Sequence, residues 1–237
     1  VYMAGRKFGT SDDVSLTWGM NVVAPAITAE RFRDSRIAVF STGNVYPMVP
    51  VSGRGSVEND ALVPVGEYAR SCLGRERVFT FSSGRNGTPM TILRGYYANE
   101  PRYGVIHDIG RWIIEGKPVP VDTGHVNIIW QGDANAQALL SLEHTATPPQ
   151  ILNVCGPELQ SVRHLAEELG AQLGIEPVLS GVEQDTAFLG SAAKATALFG
   201  PASVPMEMMI RWTAAWLKAG GRSLEKPTHF EVRDGDF

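Results

Sequence analysis

Apolar positions along this chain alternate between two periods, one near 3.6 residues and one near two. In residues 14–33, Leu16, Met20, Val23, Ala24 and Ile27 recur at helical spacing around Pro25. A proline inside a helix removes a ladder hydrogen bond and costs about 3 kcal/mol, so the pattern predicts a kinked helix or one that begins near residues 21–25. Residues 36–42 form a short β-rich run. The Gly- and Pro-rich stretch 43–64 predicts a long loop, of a kind that is usually functional inside a compact domain. A helix over 65–81 follows, then a Ser-Gly-Asn turn and a strand over 90–94.

Further along, Val105, Ile109, Trp112 and Ile113 line one helical face that stops at Gly116-Lys117-Pro118. Residues 125–130 read as a strand. An Ala- and Leu-rich helix over 132–143 follows, with Asp133 as its N-cap, and then a strand over 151–154. Ser161 caps a helix over 162–173 whose Val162, Leu165, Ala166, Leu169 and Leu173 form one stripe closed by Gly174. A last amphipathic helix spans 205–218, with Met209, Trp212, Trp216 and Leu217 predicted to face inward. Strands alternating with helices predict an α/β protein, its sheet mainly parallel and covered by helices. No internal repeat or low-complexity segment interrupts the alternation.

The chain opens on Val1-Tyr2-Met3-Ala4-Gly5, which reads as the end of a buried strand entering a glycine turn. A strand without a preceding turn would be an unprotected sheet edge, so upstream sequence, or a partner strand from another molecule, is expected beside residues 1–4.

At 237 residues the chain suffices for one substantial domain, or a domain with a smaller lobe. The net charge of −4 and scattered Lys and Arg exclude the basic footprint of a nucleic-acid binder. A small-molecule substrate or a second copy of the chain, as a homodimer, is the expected partner. The two cysteines, Cys72 and Cys155, lack the spacing of a disulfide framework or zinc site, and a reducing cytoplasm is expected. The five histidines show no ligand spacing, so no metal is expected. No apolar stretch approaches the ~20 residues of a membrane span.

The candidate chemistry centres on Tyr68, on a helix downstream of a strand that ends in Ser41-Thr42. A hydroxyl at a strand end followed by a helical tyrosine is the layout of a proton relay. In such a relay the phenol exchanges a proton with an alcohol or ketone while a nicotinamide carries the hydride. A lysine one turn beyond the tyrosine would lower its pKa electrostatically and hold the cofactor ribose. Here that position is Cys72, a neutral thiol. Arg70, Arg75 and Arg77 lie nearby. Arg70 falls on another face of the helix, whereas Arg75 returns to the side of Tyr68 two turns on.

These pieces, in this order, resemble the extended short-chain dehydrogenase/reductase superfamily, the NAD-dependent epimerases and dehydratases of nucleotide sugars. The resemblance runs from the fourth strand of that fold to the end of the chain. Met3-Ala4-Gly5-Arg6-Lys7 resembles the turn that packs on the cofactor, and Lys7 matches a family lysine beside it. Asn21, Thr42 and Tyr68 match three members of the active-site tetrad, and Cys72 stands where the fourth, a lysine, belongs. Trp130-Gln131-Gly132-Asp133-Ala134 is similar to the family's Val-x-Asp-(Leu/Val)-Ala. Ala193-Lys194 with Leu198-Phe199-Gly200 is similar to its Ser-Lys...Leu-Gly.

The resemblance implies a truncated Rossmann-like parallel sheet over 1–96 and a smaller C-terminal substrate lobe over 97–237, with the strand near 151–154 returning to the sheet. It implies an NAD- or NADP-dependent oxidoreductase, epimerase or dehydratase acting on a small hydroxylated, nucleotide-sugar type of substrate. Catalytic roles fall to Tyr68, Thr42 and Asn21, with Cys72 at the lysine position, and cofactor contacts to Met3, Ala4, Gly5 and Lys7. The family's Gly-x-x-Gly-x-x-Gly turn is not in the sequence, and Tyr97-Ala98 replaces an Asn-Pro at the substrate rim.

Each residue also has a plainer reading. Tyr68 can be a half-buried helix tyrosine, Thr42 a hydroxyl closing a turn, Asn21 a support for the kink at Pro25, Lys7 a solvated surface lysine and Cys72 an apolar filler. The rival function is a non-catalytic ligand-sensing or assembly protein that kept Tyr68 and lost the lysine. The sharp expectations are that Thr42 and Tyr68 meet in one cleft, that Cys72 faces it, and that Cys72→Lys raises cofactor affinity or turnover.

Overall fold

The computed structural model describes residues 1–235. The first helical segment is continuous: α1 (Val14–Trp18), a π-turn (Gly19–Val23) and α2 (Ala24–Arg31). Pro25 lacks the N–H that an α-turn would donate to Asn21, and the chain absorbs that loss in the wider turn just before it. Then come β1 (Ile37–Thr42), a 3-10 turn (Gly43–Val45) and β2 (Val49–Pro50). Helix α3 (Gly66–Asn86) outlasts its expected end at 81. It runs through Ser82, Ser83 and Gly84 and stops at Gly87, φ +70°, where the Ser83 hydroxyl donates to Thr88 O at 2.7 Å.

β3 (Met90–Gly95), β4 (Tyr97–Asn99), α4 (Val105–Ile114) and β5 (Val119–Pro120) follow. The expected strand over 125–130 is two short ones, β6 (His125–Val126) and β7 (Ile128–Trp130). They part at Asn127, whose side chain donates to Glu158 O and accepts from Gly190 N. Next are α5 (Gln131–Leu140), β8 (Gln150–Val154), β9 (Gln160–Ser161) and α6 (Val162–Leu173). The chain finishes with β10 (Leu179–Ser180), β11 (Thr186–Ala187), α7 (Ala193–Phe199) and α8 (Met206–Lys218).

The main sheet is parallel, in the order β1-β3-β8, with Ile37 opposite Met90 and Ile92 opposite Ile151. At its β1 edge Tyr2 N donates to Ala38 O at 2.7 Å and Phe40 N to Tyr2 O at 2.9 Å, a single parallel bridge. Val1 and Met3 on either side are exposed. The period-two alternation divides β1 and β3 between two clusters. Ile37, Val39 and Ile92 join Ala29 of α2 and Phe79 of α3, while Ala38 and Leu93 join Ala134 and Ala138 of α5. The sheet is therefore covered on both faces, as a parallel sheet must be. A separate core gathers α4, α6 and α8 around Ile106, Ile109, Leu165, Leu169 and Met209, with Phe230 of the tail sealed into it.

Three sequence expectations need correction. Asp133 does not cap α5, which starts at Gln131 behind Trp130. Its carboxylate instead accepts from Ser203 N and Oγ and from Val204 N, tying down the approach to α8. Trp212 is 37% exposed and Trp216 and Leu217 are half-buried; the buried face of α8 is Met209, Ile210, Thr213 and Ala214. Trp212 packs edge-on against Trp130, ring centroids 5.2 Å apart, at the rim of the core. The stretch 43–64 is not a free loop: β2 pairs antiparallel with β11 and Ser56 bridges Gly190, contacts too distant in sequence for local patterning to reveal. Among the described residues no helix is long and apolar enough to cross a membrane.

Candidate active site

Parallel α/β sheets bind ligands outside the carboxyl ends of their strands. Here β1 ends at Thr42 and β3 at Gly95, and a cleft of about 390 Å³ opens beyond them. Thr42 and Tyr68 both line it, with Ser41, Asn44, Tyr96, Tyr97, Tyr103, Gln131 and Thr228. Thr42 caps the 3-10 turn after β1: its hydroxyl donates to Asn44 Oδ1 at 3.1 Å and accepts from Asn44 N at 3.2 Å. The Tyr68 side chain is hydrogen-bonded to those of Thr42 and Cys72. Burial, and then the neighbouring thiol, push the phenol far above its ordinary pKa, while the Thr42 hydrogen bond and the Arg75 charge pull against them.

Cys72 does not face the cleft. It is fully buried beside Val45, Tyr46 and Leu73, behind Tyr68, and burial raises its thiol to about 11. A buried, neutral thiol therefore stands where the resemblance would place a ribose-holding lysine.

Asn21 is also fully buried and belongs to a bracket behind the cleft. Its Oδ1 accepts from Arg6 N at 2.8 Å and from Arg75 Nη2 at 2.6 Å. Its Nδ2 donates to Arg6 O at 2.9 Å and to Ser71 Oγ at 2.8 Å, and Ser71 Oγ in turn donates to Tyr68 O at 2.9 Å. The bracket thus joins the chain start, the π-turn and the first turns of α3. Gly5 is needed at its edge, because a Cβ there would collide with Arg75 Nη2 and crowd Asn21 Oδ1.

Of the expected cofactor-contact residues, Met3 and Lys7 line the cleft, while Ala4 and Gly5 do not. Lys7 Nζ donates to Thr228 O at 3.1 Å. Burial pulls its pKa down to about 8, against the opposing fields of Asp108 and Glu231. Thr228 is itself fixed by its N and Oγ1, both donating to Asp108 Oδ2 at 2.7 Å, so the tail forms one wall of the cleft. Sequence reasoning missed that wall, since the Lys7–Thr228 contact joins opposite ends of the chain. The aromatic wall had a local signal, Tyr96-Tyr97 at the carboxyl end of β3. Tyr96 sits between two glycines: a Cβ at Gly43 or at Gly190 would lie 2.5 Å from its ring.

A larger hollow, about 590 Å³, is lined by Arg54, Asn127, Leu159 and Ala193. It holds none of the sequence-predicted site residues. Among the described residues no cluster of His, Cys, Asp and Glu could hold a metal ion.

A two-faced parallel sheet, a strand-end hydroxyl and a helical tyrosine sharing one cleft define a Rossmann-like α/β protein. No family model matches this sequence, and neither does any curated protein. Solved structures do match. The UDP-glucuronic acid 4-epimerase of Bacillus cereus, in complex with a fluorinated UDP-glucuronic acid and NAD, superposes with TM-score 0.79 at 16% identity, covering 92% of this chain and 74% of that one. The Thermus thermophilus UDP-glucose 4-epimerase with NAD gives 0.76 at 20%, covering 92% and 76%. RMD from Pseudomonas aeruginosa with NADPH gives 0.78 at 18%, covering 92% and 80%. The chain has the fold of these NAD(P)-bound structures.

Proposed function

We propose that this chain is an NAD(P)-dependent oxidoreductase of the epimerase or dehydratase type, acting on a small hydroxylated substrate of the nucleotide-sugar class. The observation that carries the reading is the hydrogen-bonded Tyr68–Thr42 pair lining a cleft at the carboxyl ends of β1 and β3. Tyr68 is the proton donor and acceptor toward the reacting oxygen, and Thr42 hydrogen-bonds that oxygen and orients it. Asn21 acts indirectly, through Ser71 and the Tyr68 carbonyl.

The donor set fits the nicotinamide end of a dinucleotide. Two hydroxyls meet in the cleft, Met3 and Lys7 line it with them, and the cleft volume suits a ring with its sugar. Lys7 and the Thr42–Tyr68 pair would hold the group, with no lysine on α3 to assist. When bound, a nicotinamide supplies or accepts the hydride. The chain's own part is to position the substrate oxygen, exclude water with Tyr96, Tyr97 and Phe188, and move one proton at Tyr68 Oη.

The intact protein should bind NAD or NADP by calorimetry and turn over at least one member of a panel of UDP- and dTDP-sugars. Tyr68→Phe should lower turnover about 10²–10⁴-fold while leaving nucleotide binding in place. Nucleotide binding with no turnover on any sugar would favour the second reading, a ligand-sensing protein, for which the buried neutral Cys72 speaks. Absence of nucleotide binding would sink the cofactor assignment.

A further inference from the structure

We infer that Arg75 is a positioning residue that supplies, from inside the fold, the fixed positive charge balancing the anionic form of Tyr68, in place of the cation that Cys72 does not provide. The inference rests on the proposed proton-transfer role of Tyr68 and deepens it.

Arg75 is 6% exposed, and its charge has no carboxylate partner among the ion pairs of the described residues. Its guanidinium is held by two neutral oxygens: Nη1 donates to Phe40 O at 2.9 Å and Nη2 to Asn21 Oδ1 at 2.6 Å. Its Nε is buried without a partner. The adjacent carboxylate, Glu76, is fully engaged by Arg94 through both oxygens. A buried charge without a counter-charge is costly, and such charges cluster at functional sites.

The field falls on the site. Residues 68, 72 and 75 share one face of α3, at the spacing of a helical stripe. The groups that feel the Arg75 charge are Tyr68 and Cys72 on α3 and Tyr2 from the chain start, whose ring lies 6.0 Å from the guanidinium carbon. Of the two cations of that segment, Arg6 turns its Nη2 away to Gly9 O at 2.6 Å, and Lys7, which lines the same cleft as Tyr68, donates to Thr228 O at 3.1 Å. Asn21 Oδ1 and Phe40 O fix the guanidinium two helical turns from Tyr68, so the charge is preorganised and needs no rearrangement as Tyr68 loses its proton.

With the Arg75 charge in place, the expected effect of Cys72→Lys is reversed. An ammonium at 72 would be buried beside an existing cation, and it should lower the melting temperature rather than improve the site. Moving the charge, as Cys72→Lys with Arg75→Met, should recover much of that loss.

The test places a fluorinated tyrosine at position 68, whose more acidic phenol titrates in reach, and follows it by fluorine NMR in the intact protein. Arg75→Met should raise the titration midpoint by about one pH unit, and Arg75→Lys should restore most of it. Arg75→Gln, which keeps hydrogen-bond donors without charge, serves if Arg75→Met fails to fold. It should shift the midpoint in the same direction. The charge-transposed double variant should bring the midpoint back down. An unchanged midpoint in the neutral variants overturns the inference even if turnover falls. A shifted midpoint in a protein that turns over no sugar leaves the inference standing and removes only the functional reading.

Discussion

Arg75 and Arg94 are both buried arginines contacting the same end of the sheet, yet their surroundings are opposite. Arg94 projects from β3 and is neutralised: Nε and Nη2 donate to the two Glu76 oxygens at 3.0 and 2.8 Å, and Nη1 donates to Tyr46 Oη at 2.5 Å and Glu58 O at 3.0 Å. Ser41 Oγ adds a bond to Glu76 Oε1 at 2.5 Å, and Tyr46 Oη donates to Asn153 Oδ1 at 3.0 Å. That network locks the carboxyl ends of β1, β3 and β8 together directly beneath the cleft. Arg75, next to Glu76 in sequence, has a neutral oxygen on each terminal nitrogen, a buried Nε without a partner and a charge with no carboxylate beside it. One arginine is therefore a fastener and the other a source of field, although burial alone would not distinguish them.

The largest expected effect comes from breaking the fastener. Glu76→Ala strands Arg94 as an uncompensated buried cation and should cost about 3–5 kcal/mol of stability, read as a lower denaturation midpoint. Arg75→Met removes a charge that has no partner and forfeits two hydrogen bonds, for a cost of about 1–3 kcal/mol. Equal losses in the two variants would erase the distinction drawn between the two arginines.

Much of this arrangement was legible in the sequence, and the illegible part has a common cause. The strands at 36–42, 90–94 and 151–154, the stripe Val162–Leu173, and Tyr68 on a helix after Thr42 all follow from local period and turn chemistry. Arg94 at the end of the β-rich run Met90-Thr91-Ile92-Leu93 carried a signal as well, since a charge in a buried strand demands a partner. Its partner could not be chosen from sequence, because Glu76, Glu58 and Glu67 are all within plausible reach. Asp133 and the 43–64 stretch are illegible locally because their partners, Ser203 and Thr186–Ala187, lie far along the chain. The burial of Cys72 depends on Val45 and Tyr46 folding over α3, which no periodicity in α3 encodes.

Lys7 gives the comparison a third, titratable member. Its amine has a pKa of about 8 in the folded chain against an ordinary 10.5, because burial outweighs the favourable fields of Asp108 and Glu231. Between those values the unfolded chain binds more protons than the folded one, so stability rises with pH across that window. The penalty is fully present below pH 8. Lys7→Met should therefore stabilise the protein at pH 7 and flatten the rise in denaturation midpoint between pH 8 and 10 relative to the parent. A parent midpoint that is flat over that interval would mean that Lys7 is solvated rather than walled in by Thr228.

The smallest expected effect separates field from fastening most cleanly. Gly5 is exposed on its outer side, and the atoms nearest a methyl group there are the tip of the Arg75 side chain and the Asn21 amide oxygen, not backbone. Gly5→Ala should cost roughly 1 kcal/mol, at the lower end of the range for overpacking, because a side-chain tip can shift where backbone cannot. It leaves the Glu76–Arg94 pair untouched. The guanidinium must nonetheless move off Asn21 Oδ1 or off Phe40 O, so its placement behind Tyr68 changes. The fluorinated phenol at position 68 should then titrate at a measurably different pH in Gly5→Ala, whereas Gly84→Ala, at a glycine on the same helix with open space around it, should leave the midpoint where it was. If Gly5→Ala leaves the midpoint unmoved as well, the position of the Arg75 charge is immaterial to Tyr68, and Arg75 joins Arg94 as a residue that only holds the fold.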